Sequence, residues 1–396
     1  MVSFPTFLTR LFAAGGGSGP PEAKASATGR LIAFHAQGRP VWTPRDYAAL
    51  TREGFQKNPV VYRCVRLICE AAASVPWLLH EGERELDRHP LLTLLARPNA
   101  RRSGAELMEA VYGHLLVSGN AYIEAAGVAG EICELHALRP DRMKVVPGAD
   151  GWPEAYEYTV SGRSVRFDQG RMETGSGPAP ILHLTLFHPS DDHYGMGPLE
   201  AAGMALDLHN ASADWNKALL DNAARPSGAL VYEGEGALSQ EQFERLKREL
   251  EDNYQGASNA GRPLLLEGGL AWQAMGISPK EMDFMEARHQ AARDIALAFG
   301  VPPMLLGIPG DNTYANYQEA NRALWRQSVL PMVGRTAQAL AHWLGPAFGD
   351  GLRLSVDLDA VEALSADREA LWARLTAADF LSDDEKRLAV GYGAAD

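Results

Sequence analysis

Two long helical patterns that enclose a compact insert constrain this chain more than any short motif. Residues 199–224 place Leu199, Ala202, Leu206, Ala213, Leu220 and Ala223 on an approximate apolar stripe. At the rise of an α-helix this segment would be roughly 39 Å long, a length uncommon outside a bundle. The second pattern starts at Ser278-Pro279, where Glu281 completes a capping box. It carries Met282, Met285, Ala292, Ile295 and Phe299 on one side, and Gly300 with Pro302-Pro303 stops it. The insert between them, residues 225–278, reads as a strand, a helix and two strands around Gly268-Gly269. Its helix is capped by Ser239 and Gln242 and has Phe243, Leu246 and Leu250 as its apolar side.

The preceding residues read as an α+β domain over 30–198. Asn58-Pro59 opens a helix as N-cap and first helical residue, and Val61, Cys64, Val65, Ile68, Cys69 and Ala72 form its core stripe. HPLLTLLARPN (residues 89–99) is a short apolar helix, and Ser103 with Glu106 caps the next one. From Asn120 the period changes to that of strands: NAYIEAA, EICELHAL, DRMKVVP, EAYEYTV, RSVRF and ILHLTLF. After the hairpin, a third helix runs from about Tyr314 to Leu344 with Pro331 inside it, where a kink is expected. From Asp357 the pattern is helical and acidic, threaded by Leu364, Leu371 and Leu375.

Enzymatic chemistry is hard to find. The glycine clusters at 15–17 and 268–269 form neither GxxxxGK[ST] nor GxGxxG, so no phosphate-binding loop is supported. There is no GxSxG and no Cys–His signature. Cys64, Cys69 and Cys133 are an odd set without CxxC spacing, which argues against zinc and against a disulfide framework. HPSDDH (residues 188–193) gathers two His and two Asp. It reads as a polar loop whose Asp caps the following helix, with a metal-dependent hydrolase built on Asp191 and His193 as the rival reading. No cofactor is expected.

Charge adds a second exclusion. The net charge of -13 is unlike that of a free nucleic-acid binder. It is compatible with a surface past which DNA slides, because every Lys or Arg on a phosphate adds grip. Residues 1–60 hold seven Lys/Arg against three Asp/Glu, and residues 357–396 hold four against ten. No apolar run is long enough to cross a bilayer. Residues 1–29 are expected to be a flexible arm, since GGGSGPPEAKASATG is linker-like.

Two polar surfaces remain. The loop GDNTYANYQEAN, residues 310–321, contributes Gly310, Asp311, Asn312, Thr313, Tyr314, Asn316 and Tyr317. One reading is an N-cap loop, with Asp311, Asn312 or Thr313 as the cap. The other is a loop that meets a nucleic-acid backbone without reading bases. The insert helix carries Glu241, Glu244, Arg245, Lys247, Arg248 and Glu251. They are either a solvated face with i,i+4 pairs or a docking surface at the tip of the hairpin. A hairpin with a compact tip, a polar loop at its base and no catalytic motif is a mechanical part, one stave of a ring.

In order and spacing, NPVVYRCVRLICEAAASVP, HPLLTLLARPN, SGNAYIE, LHALRPDRMKVV, GMGPLEAAGMAL, NAARPSGAL, LSQEQFERLKRELEDNYQG, the run from AGRPLLLEGG to GVPPMLLG, and TYANYQEANRALWRQSVLPMV resemble the portal protein family of long-tailed phages. The resemblance spans about residues 54–392. Within that family the short, Ala-rich chain is most similar to portals of bacterial gene transfer agents, with ordinary prophage portals as the alternative. The resemblance implies a portal-type α+β fold: an α/β wing over 30–198, stem helices at 199–224 and 279–299, and a small α/β clip at 225–278. It further implies a tunnel loop at 300–318, a kinked wing helix with its return at 319–358 and a short crown at 359–396. It implies a ring, of twelve subunits in particles, at the capsid vertex of a phage-like particle assembled in the bacterial cytoplasm. That ring would conduct double-stranded DNA during packaging and ejection. Its implied partners are the major capsid protein, the large terminase subunit and the head-tail adaptor. A non-ring helical interaction scaffold is the further alternative.

Overall fold

The structure is a computed structural model that describes residues 42–128, 131–169, 178–221, 228–232, 239–254, 270–274, 284–309 and 313–393. The chain opens with α1 (Tyr47–Leu50), which widens into a π turn at Thr51–Gln56, followed by α2 (Pro59–Ala73). Strands β1 (Trp77–Glu81) and β2 (Arg84–Glu85), then helices α3 (Pro90–Ala96) and α4 (Gly104–Ser118), come next. Six strands follow: β3 (Asn120–Val128), β4 (Glu131–Leu138), β5 (Met143–Pro147), β6 (Pro153–Val160), β7 (Arg163–Asp168) and β8 (Ile181–Thr185). The hairpin region comprises α5 (Pro198–Ala201), α6 (Gly203–Asp221), β9 (Gly228–Tyr232), α7 (Gln240–Tyr254), β10 (Leu270–Ala274) and α8 (Phe284–Ala298). The chain closes with α9 (Tyr314–Leu324), α10 (Leu330–Phe348), β11 (Leu352–Val356), α11 (Ser365–Thr376) and α12 (Asp383–Val390).

The predicted caps are present. Asn58 Oδ1 accepts from the backbone N–H of Val60 and Val61, and Pro59 takes the first helical position, where its missing N–H is harmless. Ser103 and Glu106 form a reciprocal capping box on α4. The core stripe of α2 is buried from Val61 to Ala72 and packs with α4 and α10. Burial pushes the Cys64 and Cys69 thiols up to about 12, which makes them inert packing groups.

The described strands form four antiparallel sets. The order β4-β3-β8 backs onto α4, and β5-β6-β7 forms a separate sheet. A small cluster of Tyr122, Leu138, Met143, Val145, Tyr156 and Ile181 joins these two sheets. β11 pairs with β1, Leu79 opposite Leu354, so the end of the third helix returns to the start of the domain. β9 and β10 pair with each other in the insert.

Three sequence expectations change here. The first hairpin helix is broken: Ala202 ends α5 with ψ 0° and Gly203 begins α6. Glycine is a poor interior helix former, and Leu199, Ala202 and Leu206 remain on one buried face across the turn. Pro331 does not interrupt a regular helix. It is the second residue of α10, just after a π turn over Trp325–Val329 in which the Leu330 N–H donates to the Trp325 carbonyl. The ladder has already shifted where the ring would clash, and the helix continues to Phe348, beyond Leu344. In the C-terminal helices, Leu371 and Leu375 are only half-buried, while Leu364 is buried.

An ion pair holds these last helices. Arg368 Nε and Nη2 donate to the two oxygens of Asp359, at 2.5 and 2.8 Å. Tyr392 Oη adds a third bond at 2.6 Å. The guanidinium holds the Asp359 carboxyl down at about 2.

Candidate functional site

The hairpin has two ends that differ in burial. On α6, Leu206, His209, Asn210 and Ser212 are buried, whereas Asp214, Trp215, Lys217 and Ala218 are exposed. On α8, Met285, Glu286 and Ala287 are exposed, and Ala291, Ala292, Ile295, Ala296 and Phe299 are buried. Both helices leave the core at matching levels. The described side chains of α7 between these two helices are exposed or half-buried.

Two polar nodes anchor the root. In the first, Asn58 Nδ2 donates to Asn210 Oδ1 at 2.9 Å and meets His209 Nδ1 at 3.0 Å. Asn210 Nδ2 then donates to the Glu53 carbonyl at 2.9 Å. An amide N–H facing Nδ1 requires His209 to be neutral with its proton on Nε2. Burial first, then the Arg288 charge, pushes the His209 pKa down, in agreement with a neutral ring. Asp207 accepts from the Thr43 N–H and hydroxyl, and Lys57 pairs with Asp214 at 3.0 Å.

In the second node the SGN and GMG motifs meet. Asn120 Oδ1 accepts from the Gly195 N–H at 2.8 Å, and Asn120 Nδ2 donates to the Gly195 carbonyl at 3.1 Å. Gly119 has φ 75°, and a Cβ there would stand 2.5 Å from the Gly195 carbonyl group. Only glycine allows this crossing, which places Gly197-Pro198 at the start of α5. His183 stacks on Tyr122 with centroids 4.2 Å apart and contacts Asn120 Oδ1 through Nε2 at 3.0 Å. Burial lowers the His183 pKa to about 4. His114, hydrogen-bonded through Nδ1 to Tyr47 Oη, is likewise lowered to about 4 by burial.

At the tip, Ser239 and Gln242 cap α7 reciprocally, at 3.0 and 3.3 Å. Glu241, Glu244, Arg245, Lys247 and Arg248 are exposed, and the Glu251 side chain lies outside the described residues. Phe243, assigned to the apolar side, is 56% exposed. The strand expected at residues 262–267 and the Ser278–Glu281 cap also lie outside the described residues.

Beyond α8, Gly300 in the left-handed region ends the helix and Pro303–Leu306 forms a 3-10 turn. Arg293 Nη2 donates to the Pro309 carbonyl at 2.5 Å. Of the candidate loop, Gly310, Asp311, Asn312 and the Tyr314 side chain lie outside the described residues. Thr313 is the N-cap of α9, its hydroxyl accepting from the Asn316 N–H at 3.3 Å, so the capping alternative holds for that residue. Asn316 and Tyr317 are exposed on the first turn of α9.

The hydrolase reading finds no support. Asp191 Oδ1 accepts from the backbone N–H of His193 and Tyr194, at 2.8 and 2.9 Å, and so caps its own turn. It does not cap the following helix as expected, because α5 starts seven residues later, at Pro198, with Gly197 as its N-cap. His188 Nδ1 faces Ser190. No group of three or more metal-ligating side chains occurs among the described residues. No described helix is long and apolar enough to cross a membrane. Sequence reading recovered Asn58 only as a cap. It missed that the same side chain holds α6, a contact between residues 151 positions apart.

Comparison with known proteins places this architecture. A family model described as "Phage portal protein" matches residues 59–391. A chain in the solved structure "Neck of empty GTA particle computed with C6 symmetry" is 56% identical, with TM-score 0.70, covering 93% of this chain and 100% of its own. One in "Neck of native GTA particle computed with C12 symmetry" is 55% identical, with TM-score 0.67, covering 90% and 96%. The "Portal protein" of Enterobacteria phage HK97 is 26% identical over 315 residues, covering 76% of this chain and 70% of its own. The chain belongs to the phage portal protein family.

Proposed function

We propose that this chain forms a homo-oligomeric ring at the neck of a phage-like particle and conducts double-stranded DNA through the capsid vertex. The observation that carries the reading is the match to chains of a gene transfer agent neck, more than half identical in sequence, one of them solved with twelvefold symmetry. The anchored hairpin supports it: a stave needs a fixed root and a tip that stands clear. On this reading residues 30–198 with the third helix are the wing, and the two hairpin helices are the stem. Residues 225–278 are the clip, 300–318 the tunnel loop and 359–396 the crown.

The exposed charges of α7, Glu241 to Arg248, would dock the terminase motor and later the head-tail adaptor, and the wing would face the major capsid protein. Mixed charge suits exchange of partners, since rim ion pairs guide association more than they tighten it. The loop from Gly310 to Tyr317 would touch passing DNA. Amides and phenols can contact phosphate without the ionic grip of Lys, which suits sliding.

Particles carrying Asn312→Ala, Tyr314→Ala and Asn316→Ala together should assemble normally yet hold several-fold less DNA, read by quantifying nuclease-protected DNA per particle. Unchanged DNA content would remove the loop assignment and leave the ring intact.

A further inference from the structure

The hairpin root carries an apolar face that the fold of one chain does not use. On α6, Leu206 points into the core and is fully buried, while Met204 is 65% and Leu208 53% exposed. Ala211 continues the exposed line. The steps from 204 to 208 and from 208 to 211 are four and three, the spacing of a helix seam that receives another surface. Polar side chains would be expected on this side of a solvent-facing helix.

A matching hollow lies on the other helix of the hairpin. Where α8 meets α4, β8 and α10, a cavity of about 780 Å³ opens, lined by Leu115, Leu186, Leu297, Phe299, Pro331 and Met332 among others. Its lip includes Leu297, 78% exposed. The polar side chains beside the apolar wall are His183, Thr185, Ser328, Arg335, Thr336 and Gln338.

We infer that the Met204–Leu208 face of α6 in one copy seats in the cavity rimmed by Leu297 of the adjacent copy. A cyclic ring is built from a heterologous contact, so it needs two different surfaces on each subunit. For the ring to close without rising into a helix, those surfaces must lie at the same height. The body-proximal ends of α6, with Met204 and Leu208, and of α8, with Leu297 and Phe299, meet that condition in so far as α6 packs against α8 and Leu206, Ile295 and Phe299 share one core cluster. The inference rests on the ring reading above and deepens it. It assigns one side of each stem helix pair to the neighbour rather than to the channel.

Hydroxyl-radical footprinting of the wild-type ring against wild-type monomer tests this without substitution. Oxidation of Met204, Leu208 and Leu297 should fall at least five-fold on assembly, while Trp152, exposed in the turn between β5 and β6, keeps its rate. In parallel, Leu208→Glu should leave a folded monomer by circular dichroism and reduce the ring fraction at least ten-fold by native mass spectrometry. Lys144→Gln, exposed on β5 and outside both surfaces, should assemble as wild type. Wild-type rings in which Met204, Leu208 and Leu297 remain as reactive as in the monomer overturn the contact alone. A wild-type chain that stays monomeric at high concentration and within particles overturns the ring reading, and this contact with it.

Discussion

The root and the tip of the hairpin use the same kind of amphipathic helix to opposite ends. At the root, α6 and α8 bury Leu206, Ile295 and Phe299, and even the polar His209 and Asn210 are inside and hydrogen-bonded. At the tip, α7 is capped by its own Ser239 and Gln242 and leaves its charges and Phe243 in solvent. A buried polar group must find its partner or cost about 1–3 kcal/mol, so the root admits few alternatives. The tip has no such constraint and is open to partners. The difference separates residues that hold a position from residues that present one.

Acid offers the largest test of that difference. His114 and His183 titrate near 4 in the folded chain, against about 6.5 when unfolded. Between those values the unfolded state binds more protons, so stability is full above about pH 6.5 and is lost as pH falls towards 4. The body should lose on the order of 3–6 kcal/mol across that window. Denaturant titrations at stepped pH measure it, and a flat profile would mean that these rings are not held neutral. Amide exchange in α7 should change far less than in α2 and α4.

The root node comes next in size. Asn58→Asp keeps the oxygen that caps α2 but replaces the amide donor with a second acceptor facing His209 and Asn210. It should cost about 1–3 kcal/mol, read from the denaturation midpoint. A loss of a few tenths would show that capping is all this residue contributes.

At the tip the expected effect on stability is smallest. Arg245→Ala with Arg248→Ala should shift stability by no more than about 0.5 kcal/mol, as for surface changes generally. If α7 is a docking surface, the same pair should weaken capture of the purified head-tail adaptor in a pull-down. A stability loss as large as that of Asn58→Asp would erase the contrast between the two ends.

Much of this was legible in local sequence. Asn58-Pro59, Ser103 with Glu106 and Ser239 with Gln242 mark helix starts because a cap and its target N–H lie within three residues. The strands from Asn120 to Thr185 showed their period and turns. The expectation that an Asp of HPSDDH caps the following helix failed because such a side chain can serve any nearby N–H, and only the path of the backbone selects His193 and Tyr194 for Asp191. Pro331 was expected to kink a regular helix, but the π turn before it depends on packing that no local rule describes. The candidate loop was legible as polar, and its Thr313 as a cap, but contact with DNA needs a second molecule.

By itself the sequence determined where many of the helices and strands begin, which faces of α2 and α6 seek the core, and membership of the portal family through the order of its motifs. Those properties come from interactions spanning a few residues and from a pattern that runs the length of the chain. Only the tertiary structure decided that Asn120 grips Gly195, that Asn58 holds α6 as well as capping α2, and that Met204 and Leu208 are left outside. These pairings join residues 75 and 152 positions apart. Donors, acceptors and apolar faces so distant in sequence select one another only after the core has brought them together.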